Sequence, residues 1–166
     1  MKMCALLAAA LTVASLTGFV QTNTAQTSAV GTWQLDAAKS SFGSEPAPKS
    51  VTLTILKDTA ALNSWRVEVV DAKGQSMAYS WSGPQDGSLH PVKDPKGQII
   101  AQESLARDKD GALLRHGVDN SDGSSFDARA TMSVDGNTIT DVLTSKAKDG
   151  KTSKMTMVYT RVKGAK

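Results

Sequence analysis

The chain has 166 residues, a formal charge of +3, 21% charged side chains and only 5% aromatic ones. That length suits a single domain with one well-buried core. The charge is too small for a nucleic-acid partner, and neither a Lys/Arg block nor an aromatic-basic stripe is present.

Residues 1–25 read as a secretory signal, with Lys2 as the positive start and an apolar Leu/Ala-rich stretch over 5–20. The stretch is short for a membrane span and runs into Gln21-Thr22-Asn23-Thr24, so no stable anchor is expected once it is removed. Cys4 precedes the apolar core, whereas a lipidated cysteine follows it, so Cys4 is read as part of the signal. It is the sole cysteine, and the mature chain is left without disulfide or thiol chemistry. The product is expected to be secreted or periplasmic. Residues 26–30 read as a flexible leader, and residues 31–166 as the folded domain.

The domain opens on Gly31-Thr32-Trp33-Gln34-Leu35, then Asp36-Ala37-Ala38-Lys39, a turn capped by Asp36. Pro46 and Pro48 keep the chain extended until the next strand. Gly31-Thr32-Trp33 with Leu35, the run Asp36-Ala37-Ala38-Lys39-Ser40-Ser41-Phe42 and the later Pro46-Ala47-Pro48-Lys49-Ser50 resemble the opening of a family of small secreted bacterial lipocalin-like proteins. Asp86-Gly87-Ser88-Leu89-His90-Pro91-Val92 is similar to a second segment of that family, with Ser88 where the family carries Lys. The resemblance spans the mature chain. It implies a calycin-type barrel that begins with glycine under the floor and a tryptophan plate above it, and it implies no assigned activity.

Beyond residue 50 the pattern is a meander. Polar turns end on Gly74, Gly97, Gly111, Gly123, Gly136 and Gly150, and from Gly97 onward they are spaced 12 to 14 residues apart. Glycine supplies the positive φ that such turns require. Between them apolar side chains alternate, as in Val51, Leu53 and Ile55, in Trp65, Val67 and Val69, in Met77, Tyr79 and Trp81, and in Met155, Met157 and Tyr159. A period of two is that of a half-buried antiparallel sheet. Eight to nine such strands with no amphipathic helix predict an all-β fold, and together with the resemblance they point to an up-and-down lipocalin-like barrel, closed because closure removes exposed edges. An open two-sheet sandwich is the alternative.

Candidates for chemistry are few. Asp108 and Asp110 fall in one turn but lack the further carboxylates of a calcium loop. His90 beside Pro91 reads as a loop residue, and His116 shares no metal-ligand spacing with it, so neither a metal nor a cofactor is expected. No serine lies in a nucleophile elbow. Glu103, Asp127 and Asp141 lie within strands, where charges mostly face water; two of them turned inward would permit acid–base work.

The inward aromatics and their polar neighbours make the candidate ligand site: Trp65, Tyr79, Trp81, Phe126, Met132, Met157 and Tyr159, with Arg115 and His116, of which alternation turns one inward. Such a mix suits a small apolar ligand held by one or two hydrogen bonds, bound by a monomer without bond breaking. A filled barrel serving as a structural or interaction module, and a barrel enzyme using inward carboxylates, are the other readings. Gly31, Trp33 and Arg161 are assigned structural roles. The resemblance implies that an arginine near the end of the last strand packs across the first tryptophan; Arg161, which follows Tyr159 at a spacing of two, is therefore expected to lie against Trp33 at the closed end, joining the last strand to the first.

Overall fold

The structure, a computed structural model, describes residues 28–163. The expected signal over 1–25, with Cys4, and the first residues of the leader lie outside them. Residues 28–30 enter as irregular chain, and ten strands follow among the described residues. They are β1 (Gly31–Leu35), β2 (Ser50–Asp58), β3 (Asn63–Val70), β4 (Ser76–Gly83), β5 (His90–Lys93), β6 (Ile99–Arg107), β7 (Leu113–Asp119), β8 (Ser125–Met132), β9 (Thr138–Lys146) and β10 (Thr152–Arg161). Each pairs antiparallel with its neighbours in sequence, and β10 pairs with β1 to close the barrel. All six turn glycines named above have φ between 67° and 88°.

The strand count exceeds the expected eight to nine because of β5. Pro91 makes that stretch read as a loop. It is tolerated because β5 pairs with β4 only through Ser80–Lys93 and Trp81–Val92, leaving Pro91 outside that ladder. A bulge between Ile55 and Lys57 breaks the alternation of β2. Leu56 is thrown outward, and Asp58 is brought to pair with the buried Asn63.

The start of β1, the end of β10 and the β2–β3, β4–β5, β6–β7 and β8–β9 turns share one end, which is closed. Trp33 is fully buried there and donates its Nε1–H to the Ala29 carbonyl at 2.9 Å. The Arg161 guanidinium lies 4.1 Å from the Trp33 ring centroid. It also donates to the carbonyls of Val30 (2.7 Å), Ser28 (2.9 Å) and Gly136 (2.7 Å). Gly31 is glycine for two reasons: its φ is 142°, and a Cβ would sit 2.8 Å from Arg161 Nη1. Beside this plate, Asp58 Oδ1 accepts from Asn63 Nδ2 (3.2 Å), Gln85 Nε2 (3.0 Å) and Arg107 Nη2 (2.5 Å). The floor is thus a tryptophan plate and a polar knot.

The other end carries the β3–β4, β5–β6, β7–β8 and β9–β10 turns and the long β1–β2 connection. That connection is no loose lid: Ser41 exchanges both backbone hydrogen bonds with Thr156 at 2.8 Å, and Phe42 packs against the core. The outer wall carries ion pairs, Arg66–Glu68 (2.5 Å) and Arg129–Asp108 (3.0 Å) among them, as a sheet face turned to water does.

The turns are built from aspartates that accept their own backbone N–H groups. Asp135 is the most strongly shifted: hydrogen bonds first from Ser133 and then from Asn137 hold its carboxyl well down, at about 2. A carboxyl depressed in the folded state stabilises it above the ordinary aspartate pKa, and loses that effect as pH falls through the folded value. Carbon-detected NMR titration should therefore show Asp135 titrating near 2, with the β8–β9 turn loosening only below about pH 4. A midpoint near the ordinary value of about 3.9 would mean these hydrogen bonds do not persist in solution.

Candidate functional site

Alternation along β6 to β10 decides what faces the lumen. Glu103 and Leu105 on β6, Leu113, Arg115 and Gly117 on β7, and Phe126, Ala128 and Ala130 on β8 share the inner face. So do Ile139, Asp141 and Leu143 on β9, and Met157 and Tyr159 on β10. Arg115 therefore enters the barrel. Two carboxylates meet it: Nε–H donates to Glu103 Oε1 at 2.7 Å, and an Nη1 hydrogen to Asp141 Oδ2 at 2.6 Å. The second contact crosses the whole of β8. It is possible because β8 presents only the methyl groups of Ala128 and Ala130 beneath the arginine, their register partners being Arg115 and Asp141.

Aromatic rings frame the guanidinium. Phe126 stands 5.4 Å from it and Trp65 5.8 Å, both within cation–π distance. Phe126 can lie there only because its cross-strand partner Gly117 has no side chain; a Cβ at Gly117 would come 2.1 Å from Phe126 Cε1. Trp65 is fixed from behind by Trp81, stacked at 6.3 Å and 11°, and from the side by Tyr79, edge-on at 6.0 Å. Trp81 is in turn anchored by its Nε1–H on the Glu103 carbonyl at 2.9 Å.

Burial works against the charge on Arg115, but Glu103 first and Asp141 next outweigh it, and its pKa lies above the ordinary arginine value. Tyr79 is pushed up chiefly by burial. Tyr159 is pushed up by burial and then by Tyr79 and Asp141, and both phenols stay protonated as donors. The Tyr159 hydroxyl donates to the Met157 thioether, at 3.4 Å.

Burial is uneven within the cluster. The Glu103 and Asp141 side chains are 4% exposed, whereas Arg115 remains 21% exposed. The Arg115 side chain is thus less completely enclosed than its two partners. Toward the mouth, inward side chains such as Phe126 and Met157 are half-buried, and Met77 is 50% exposed. Two shallow hollows, of about 290 and 370 Å³, lie on the barrel wall over β2–β5, and Trp65 and Trp81 of this cluster line the first of them.

Of the residues singled out from sequence, Trp65, Tyr79, Phe126, Met157, Tyr159 and Arg115 come together around this centre. Trp81 stands behind Trp65, and Met132 lies toward the floor, its sulfur 3.9 Å from Arg161 Nη2. His116 is a correction: it points outward, paired with the exposed Asp127 at 2.9 Å, because Arg115 takes the inward position next to it. Glu103 and Asp141, expected on the outer face, are also corrected. They are inside because Arg115 is inside, and a buried cation needs counter-charges. An inward arginine in an apolar strand is the signal that could have found them. On the β4–β5 loop Ser88 donates to Asp86 at 2.5 Å and lies 2.9 Å from His90 Nε2. With its single proton directed to Asp86, that exposed group is a turn rather than an activated nucleophile.

What fold and site define is a closed antiparallel barrel of lipocalin-like architecture with an ionic centre on its inner wall. No family model matches the chain, and no curated protein matches it.

Proposed function

We propose that the protein is an exported binder of a small, largely apolar molecule, held in the barrel against the Arg115 centre. The observation that carries this is the partial exposure of Arg115 inside a ring of aromatic and methionine side chains. A guanidinium clamped between two carboxylates cannot act as a proton donor at neutral pH, so the arrangement favours binding over catalysis. Met157 and Met132 supply adaptable apolar surface. The apolar stretch over residues 5–20 supports export, and the opening around Gly31 and Trp33 supports kinship with secreted lipocalin-like proteins.

A thermal-shift screen of apolar small molecules tests this. A ligand at about a hundred times its Kd stabilises by about 2.7 kcal/mol, a rise in Tm of about 5–10 °C for a chain of this size. The same ligand should lose its effect on Ala101→Phe, which places a ring on the inner face near the mouth. Shifts that are equal in the variant would put the ligand outside the barrel.

A further inference from the structure

The ionic centre is unbalanced in two ways. Glu103 and Asp141 bring two negative charges against the single positive charge of Arg115, and among the described residues no other charged side chain hydrogen-bonds to any of the three. Further, Asp141 Oδ1 is fully buried and has no hydrogen-bond partner among the described residues, while Oδ2 is engaged by Arg115. An ionised carboxylate oxygen left bare in a protein interior is costly, more so than a bare neutral group. Both features call for a ligand group that is positive and carries N–H donors.

Resting on the ligand-binding reading above, we propose that the molecule the barrel takes is a protonated primary or secondary amine on an apolar body. Its ammonium group donates to Asp141 Oδ1. A carboxylate ligand would add a third negative charge to this centre, so fatty-acid-like molecules are disfavoured. Met157 is the cross-strand partner of Asp141 on β10, and a ligand reaching Oδ1 would displace it. Met157 packs against the core and accepts a weak contact from Tyr159, and an unbranched thioether adapts to a neighbour more readily than a branched side chain.

The test compares four ligands of one chain length by calorimetric titration at pH 7: octylamine, octanol, octanoate and octyltrimethylammonium. Octylamine, protonated at that pH, should bind at least about tenfold more tightly than octanol, a difference of about 1.4 kcal/mol. Octanoate should be weaker than octanol. Octyltrimethylammonium, a cation with no N–H, should gain less than half of the amine's advantage in free energy. Asp141→Asn should bring octylamine and octanol to within about threefold of each other. Should that variant not fold, the order of the amine and the trimethylammonium on the natural chain decides. Equal binding of all four, or octanoate the tightest, overturns the amine inference and leaves the ligand-binding reading standing. Binding by none of them removes both.

Discussion

Replacing Arg115 by alanine should destabilise the protein by about 3–5 kcal/mol, the usual cost of removing one member of a buried ion pair. The cause is less the lost attraction than what remains: Glu103 and Asp141, each 4% exposed, would face each other without a cation. Arg115→Lys should recover only part of the loss, because an ammonium cannot span from Glu103 on β6 to Asp141 on β9 as the planar fork does. The triple replacement Glu103→Gln, Arg115→Met and Asp141→Asn should cost far less than Arg115→Ala alone, since no charge is stranded. Urea denaturation reads this directly, as a fall in midpoint at unchanged slope. A loss below about 1 kcal/mol for Arg115→Ala, the range of an exposed pair, would mean that the centre is open to water.

Trp33→Ala should be comparably damaging, at about 3–5 kcal/mol, because a fully buried indole leaves a cavity that the floor cannot close. Arg161→Ala loses more than a cation–π contact worth about 0.5–2 kcal/mol. The carbonyls of Ser28, Val30 and Gly136 lose their donor as well, so the leader loses its side-chain tie to β10, while the β8–β9 turn keeps only the backbone bond from Arg161 N–H to the Asn137 carbonyl. A double-mutant cycle should give a coupling of at least about 0.5 kcal/mol. Simple additivity would show that the guanidinium serves the carbonyls alone. Ligand binding should survive Arg161→Ala, since the Arg115 centre faces the lumen rather than the floor.

The barrel is written in the sequence by two repeating devices. Glycine-ended turns set the strand lengths, and alternating side chains set the faces, so that closure follows from the number of strands. What escapes are departures from those devices. Pro91 hides β5 because a strand that pairs fully on only one side tolerates it. The bulge at Ile55 and Lys57 hides Asp58 because it shifts the parity of the residues beyond it. The site is legible only in part. Alternation assigns one of Arg115 and His116 to the lumen but does not say which, since Leu113 and Leu114 flank them with equal hydropathy. What fixes the choice is long-range: two alanines on β8, a glycine under Phe126, and carboxylates on β6 and β9. Most of those partners are far from Arg115 in sequence. A rule that strand charges face water therefore misplaces Glu103 and Asp141, because it omits the cation that recruits them.

Ligand binding at the inner ionic centre requires that the centre be reached through the mouth. Site-resolved NMR during titration with octylamine tests it most directly. Shifts are expected at the Arg115 Nε–H, the Trp65 indole and the Met157 methyl. The Trp33 indole at the floor and the Leu114 methyls on the outer wall, 40% exposed, should stay in place. Shifts confined to Leu114 and its outer neighbours, with Arg115 unmoved at saturation, would contradict it.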